Sequence, residues 1–424
     1  MSKHHTINEL ERVGHNSASV FDVEQVRSDF PILSREVYSK PLVFLDSGAS
    51  AQKPRAVIDC MTEAYESYYS NVHRGAHYLS QQATDAYEEA RVVIANFMNA
   101  PSDKNIVFTS GVTESINLVA ATWGRKFLQE GDEVIVSEME HHANIVPWQL
   151  LREDKGIVLK VAPVRDDGSF HLEDFEACLT SRTKLVAITE VSNVLGTRVP
   201  IKELTKIAHA RGAKVLVDGA QGVVHQGVDV QQLDVDFYGW TGHKLYGPSG
   251  VGILYGKADL LDSMPPYQGG GDMIASVTFE KTTFQDPPYR FEAGTPPIVQ
   301  AVGLGAAVKY VEGLGMINIA AHEQEVLAYA HQQLAEIDGY REVGTVKDKA
   351  AIISFLVNGL HPFDVAAVLD RQGVATRVGQ HCAEPLMDRM GIEGTVRASF
   401  GLYNNRADVD ALVAAIWQAK EMLS

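Results

Sequence analysis

Residues 214–256 run KVLVDGAQ (214–221), then DFYGWTG (236–242), HKLYGPSG (243–250) and VGILYG (251–256). Runs of Val, Leu, Ile and aromatic residues bounded by Gly, Pro and Asp read as buried strands. An Asp follows the first apolar run, and a Lys lies in the Gly/Pro-punctuated turn between the last two. Asp218 and Lys244 are about one strand-turn-strand excursion apart, which predicts that both sit at the edge of one sheet. Working upstream, KLVAITEVSN (184–193) precedes the amphipathic IKELTKIAHARG (201–212), whose Gly212 stops the helix. Further back, NIVFTS (105–110), the helical TESINLVAATWGRKFL (113–128) and DEVIVSEM (132–139) repeat the alternation. Strands alternating with helices predict an α/β fold, a mainly parallel sheet covered on both faces.

Downstream, beyond about residue 265, the loops PPYQGGG (265–271) and FEAGTPP (291–297) precede a helical stretch from about 298 to 337. The strand AIISFLV, the helix FDVAAVLDRQG, the loop ATRVGQHCAEP (375–385), the strand VRASFGLY and a final helix then read as a smaller α+β lobe. At 424 residues the chain is long enough for two lobes. The expected division is a leader at 1–20, an N-terminal segment at 21–40 packing with the small lobe, a large lobe at 41–310 and a small one at 311–424.

Hydrophobic residues make up 45% and charged residues 21%, as in globular proteins. No apolar run approaches the roughly 20 residues that span a bilayer, and the N-terminus lacks a secretory h-region. A net charge of -17 opposes nonspecific binding to nucleic acid or anionic membranes. Cys60, Cys178 and Cys382 show neither CxxC pairing nor metal-finger spacing. A reduced, cytoplasmic protein without a structural metal is the expectation.

The Asp218–Lys244 placement suits pyridoxal phosphate: an amine forms an imine with the aldehyde, and a carboxylate keeps the ring nitrogen protonated so that the ring draws electrons. A solvated loop lysine and a turn-forming Asp are the alternatives for either residue alone. A third element shifts the balance. TSGVTES (109–115) opens a helix, so the backbone N–H groups about Val112 and the Thr113 hydroxyl can receive a phosphate at the positive end of the helix dipole. Thr241 and His243 lie next to the lysine and can donate as well. Alone, Thr113 reads as a helix N-cap. His141 and Asn193 follow strands and should reach the same edge.

Cys382 lies in a loop beside Arg377 and His381, cations that favour a thiolate. Cys60 and Cys178 read as packing residues. Arg397 alternates with apolar neighbours on a strand, so its charge needs a substrate carboxylate or an internal acid.

The ordered motifs TSGVTE, MEHHANIVPWQ, EVSNVLGT, VDGAQ, TGHKLYGPSGVGILY, GGGDMI, RFEAGTP and GQHCAEPLM resemble the SufS-type cysteine desulfurases across about residues 21 to 424. These are fold-type I, aspartate-aminotransferase-like enzymes of the aminotransferase class V family. Homodimers with active sites between subunits are implied. The resemblance further implies Lys244 as the imine lysine, Asp218 on the ring nitrogen, Gln221 on the ring hydroxyl and His141 stacked on the ring. Val112, Thr113, Thr241 and His243 would hold the phosphate, and Thr295 would reach it from the other subunit. Arg397, with Asn193 and Arg377, would bind the substrate. Cys382 would take the sulfur of L-cysteine as a persulfide, releasing alanine. His141 would exchange a proton at the substrate thiol. Gln380 stands where the family usually has a second histidine, and the loop lacks the long insertion of IscS-type relatives. A dedicated acceptor of the SufE or SufU type and a role in iron-sulfur cluster assembly follow by resemblance. A selenocysteine lyase and a pyridoxal-phosphate aminotransferase are the alternative activities.

Overall fold

The computed structural model describes residues 21–423; the leader expected at 1–20 lies outside the described residues. Seven strands form the main sheet: β1 (Ile106–Thr109), β2 (Glu133–Ser137), β3 (Val158–Ala162), β4 (Thr183–Thr189), β5 (Lys214–Asp218), β6 (Phe237–Thr241) and β7 (Gly252–Gly256). Their order is β1-β7-β6-β5-β4-β2-β3, with β7 antiparallel to both neighbours and the other pairs parallel. The strand alternation dictates the two-sided core. Val215 and Val217 of β5 pack into one apolar cluster and Leu216 into the opposite one, as period-2 geometry requires. Burying each such side chain contributes roughly 1.5–3 kcal/mol.

The helical stretch expected at 298–337 is two helices, Ile298–Leu314 and Met316–Leu334, divided at Gly315. Gly315 has φ 83°, a left-handed conformation that glycine adopts without Cβ strain, and its N–H caps the first helix on Val311 O.

A four-stranded sheet follows: β8 (Tyr340–Val343), β9 (Ile352–Val357), β10 (Arg377–Gly379) and β11 (Thr395–Ser399), in the antiparallel order β8-β9-β11-β10. Helices Met316–Leu334, Pro362–Arg371 and Arg406–Leu423 cover it through Val326, Leu327, Val365, Leu369, Leu412 and Ile416. Val43 and Leu45 join this cluster, and Val43–Phe44 pairs in parallel with Val374–Ala375. The segment read as one loop, 375–385, is more ordered than expected: it holds β10 and the start of a helix at Glu384–Met390. Cys382 lies in the tight turn between them. Near the N-terminus, Arg27 pairs with Asp408 at 2.8 Å and Asn405 donates to Glu24 at 2.7 Å. Among the described residues no helix is long and apolar enough to cross a membrane.

Candidate active site

Six strands of the main sheet run in one direction, and five of them carry the expected residues on the loops at their C-terminal ends, where open α/β sheets bind ligands. Asp218 ends β5 and Lys244 follows β6. His141 follows β2, Asn193 follows β4 and Thr113 follows β1. β7 begins at this edge, pairing Gly252 with both Thr109 and Thr241.

The edge is dry enough to change its charges. Burial lowers the Lys244 ammonium to about 8, opposed by Asp218 and Cys382 and reinforced by Arg397. Among the described residues the amine has no hydrogen-bond or ion-pair partner within bonding distance. Asp218, 4% exposed, is pushed up by burial and held down by the Ala220 N–H at 3.0 Å and by Lys244. His141 is lowered to about 4 by burial, then by Lys244, His142 and Arg397, so its imidazole is neutral near pH 7. Its Nδ1 accepts from Ala143 N at 3.0 Å, which places the ring proton on Nε2. Beneath this turn, the fully buried Glu140, raised to about 7 by desolvation, accepts from Ser137 Oγ, Asn144 Nδ2 and Thr189 N. That network braces the His141 turn against β4.

The helix Val112–Val119 starts at Gly111 with no side-chain cap. The alternative reading of Thr113 as the helix N-cap is therefore set aside: it lies inside the first turn and is exposed. Glu114 instead accepts from Ser110 N at 2.5 Å. Gly252 allows this loop to approach, since a Cβ there would meet the Gly111 backbone at 2.4–2.8 Å. Thr241 Oγ1 lies 3.5 Å from the position a Cβ on Gly111 would take. His243 is lowered to about 4 by burial, Lys244 and Lys53. Gln221 donates to Gly48 O at 2.8 Å. Thr295 is exposed and lines an open cavity with Ser110, Glu114 and Gln268.

The small lobe brings the sulfur residues to the same edge. Cys382 is exposed, and its charge acts on Lys244, Arg377 and Arg397. His381 and Cys382 both have positive φ, 55° and 57°, a conformation that costs non-glycine residues about 1 kcal/mol or more each. Contacts from the large lobe hold them there. Asn193 Nδ2 donates to His381 O at 2.8 Å, His142 N to Cys382 O at 2.8 Å, and Glu384 N to His142 Nε2 at 3.0 Å. The adjacent histidines thus divide: His141 faces Lys244 electrostatically and His142 ties down the cysteine turn.

Three expectations change. His381 is not a cation beside the thiol: burial first, then Arg397, lowers it to about 3, and its Nε2 lies 2.9 Å from Thr395 Oγ1. The Asn193 amide grips the cysteine turn, while its carbonyl accepts from Arg397 Nη1 at 2.8 Å. Arg377 is not free for a ligand, because Asp46 takes it through three contacts of 2.7–3.1 Å. Gln380 lies on the surface, 3.4 Å from Glu384. Cys60 and Cys178 are half-buried thiols raised by desolvation, consistent with packing. Asp46, Glu140 and Lys53 were missed. The only signal for the first was the small-residue run SGASA (47–51) after it, which hinted at close backbone approach.

Together these groups fit pyridoxal phosphate: a desolvated amine for the aldehyde, a buried carboxylate for the ring nitrogen, and an uncapped helix N-terminus beside Thr241 for the phosphate. Fold and cluster define an α/β enzyme of the fold-type I class. Residues 43–412 match the family described as aminotransferase class-V. The chain belongs to that family, among its cysteine desulfurases. It is 50% identical over 95% of its length to a probable cysteine desulfurase of Mycolicibacterium paratuberculosis, of which it spans 59%. A cysteine desulfurase of Dickeya dadantii is 52% identical over 95% of this chain and 98% of its own. Among solved structures, the cysteine desulfurase CsdA of Escherichia coli superposes with a TM-score of 0.89 at 41% identity, covering 95% of this chain and 100% of that one. The chain thus spans less than two thirds of the Mycolicibacterium relative and nearly all of the Dickeya one.

Proposed function

We propose that this chain is a cytoplasmic, homodimeric cysteine desulfurase: it converts L-cysteine to L-alanine, carries the sulfur as a persulfide on Cys382 and passes it to an acceptor of the SufE or SufU type for iron-sulfur cluster assembly. One observation carries the reading: Asp218 ends β5 and Lys244 follows β6 at one sheet edge, and Asn193, after β4, holds both the Arg397 guanidinium and the Cys382 turn at that edge.

When bound, pyridoxal phosphate supplies the electron sink that lets the Cα proton leave and the Cβ–S bond loosen. Lys244, lowered to about 8, has a neutral fraction of about a tenth at pH 7 and about a half at pH 8, and serves as nucleophile and then as base at Cα. Asp218 holds the proton at the ring nitrogen; Gln221 and His141 would hold the ring. Val112, Thr113, Thr241 and His243 would hold the phosphate, joined by Thr295 of the partner subunit. Arg397 takes the substrate carboxylate, and Asn193 keeps both Arg397 and the cysteine turn in place. Neutral His141 points its Nε2–H donor away from the Ala143 contact, and it can take the substrate thiol proton and return it once Nδ1, its one lone pair, releases the Ala143 N–H. The Cys382 thiolate attacks the substrate sulfur; a new S–S bond forms as the Cβ–S bond breaks, and the carbon keeps the electron pair until it is protonated to alanine. Residues 41–310 would form the cofactor lobe and 311–424 the smaller lobe, with 21–40 tied to the latter by Arg27–Asp408 and Asn405–Glu24, while Val26 and Phe30 also enter the apolar cluster of the main sheet.

The test is alanine and sulfide release from L-cysteine by the purified holoenzyme, beside Cys382→Ser. The variant should bind cysteine and lose sulfide release to background. Undiminished turnover would remove Cys382 as acceptor. Mercaptopyruvate in place of alanine would support an aminotransferase, and turnover of selenocysteine alone a selenocysteine lyase.

A further inference from the structure

Arg377 and Arg397 are register partners across β10 and β11, and like charges directly opposite each other disfavour pairing. Asp46 lies between them. It leaves the Val43–Phe44 strand, and its backbone bridges Ser399 at the end of β11. Its carboxylate holds the two arginines unequally. Arg377 gives Nε at 3.0 and 3.1 Å and Nη2 at 2.7 Å, whereas Arg397 gives only Nη2, at 3.5 Å. Arg397, 2% exposed, engages Nη1 with Asn193 O, and its buried Nε has no partner among the described residues. A guanidinium grips a carboxylate with two parallel N–H donors. The Nε–Nη2 edge of Arg397 is thus a bidentate socket that Asp46 touches without filling.

We infer that Asp46 is a positioning and specificity residue for the substrate carboxylate: it pins Arg377 away from Arg397, leaves the Arg397 Nε–Nη2 edge open, and holds the socket at one net positive charge instead of two. The inference rests on the reading of Arg397 as the carboxylate holder. An amino acid with one carboxylate and an uncharged side chain matches such a socket, and a second anionic group meets the Asp46 charge.

The holoenzyme tests this in a cycle. Arg377→Gln releases Asp46 to close on Arg397, so the KM for cysteine rises about tenfold, more than kcat falls. Adding Asp46→Asn to that variant returns KM to within about twofold of the parent. A KM that stays high in the double variant means that Arg377 itself grips the substrate, and overturns the inference. So does an unchanged KM in Arg377→Gln, which needs no Asp46 variant to fold. In Asp46→Asn alone, inhibition by L-aspartate strengthens about tenfold relative to inhibition by L-serine; an unchanged ratio counts against the charge role.

A readout without turnover is alkylation of Cys382, followed on its own peptide by mass spectrometry. Asp46→Asn raises the iodoacetate-to-iodoacetamide rate ratio, and Asp46→Glu restores it; a ratio that Asp46→Asn leaves unmoved overturns the inference. Arg397→Lys separates the two readings. An unmoved KM there sinks the carboxylate role of Arg397, while the alkylation ratio still reports on Asp46.

Discussion

The main-sheet edge and the cysteine turn sit side by side but are built differently. Lys244, Asp218 and His141 project from the ends of strands whose cores are buried on both faces, and Glu140 adds a fully buried network below. Cys382 is exposed, stands in a turn with two residues at positive φ, and is held by hydrogen bonds from residues distant in sequence, Asn193 and His142. In the proposed reaction, chemistry that must exclude water falls on the rigid scaffold, and the sulfur to be handed on falls on a strap. Local stability should therefore differ between the two.

The largest test of that difference is Lys244→Ala. It should lower kcat by about 10⁴-fold and abolish borohydride trapping of the cofactor, while leaving the alkylation rate of Cys382 within a few-fold. A large change in Cys382 reactivity would mean that the two regions are one unit. Next, Asn193→Ala removes the bond to His381 O but keeps the carbonyl that receives Arg397. Sulfide release should fall about tenfold, and protection from hydrogen exchange should drop at 380–383 and not along β5, with a stability cost of about 1 kcal/mol. Equal loss of protection in both regions would erase the distinction.

The smallest effect is on the apoprotein. The folded Lys244 ammonium is lowered from 10.5 to about 8, so between those values the unfolded chain binds the extra proton and this group makes stability rise with pH. Lys244→Met should make the apoprotein more stable at pH 7, by about 3 kcal/mol at most. The gain should shrink as pH rises from about 8 to 10.5, as urea unfolding at a series of pH values would record. A gain that does not vary with pH would assign it to packing alone.

The strands were legible because a parallel sheet buried on both faces demands uninterrupted Val/Ile/Leu runs, and Asp218, Lys244 and the 109–115 loop follow from where those runs end. Other features were not. Gly315 breaks a helix that its flanking residues would continue, and β10 is a short strand inside what reads as a loop because its pairing partner lies beyond the intervening helix. His381 reads as a cation beside a thiol, yet its burial against Arg397 keeps it neutral. Asp46 carries no local mark that ties it to two arginines more than 300 residues away.

By itself, then, the sequence determined the α/β class, the sheet edge that gathers Lys244, Asp218, His141 and Thr113, and the thiol that joins them, because periodicity and motif order are local properties. Only the tertiary structure decided which charges survive burial and which partners each takes: Asp46 with Arg377, Asn193 with the cysteine turn, neutral His141 and His381. Desolvation and hydrogen bonding across hundreds of residues depend on what the fold brings within a few ångströms, and that distance is written in no single stretch of the chain.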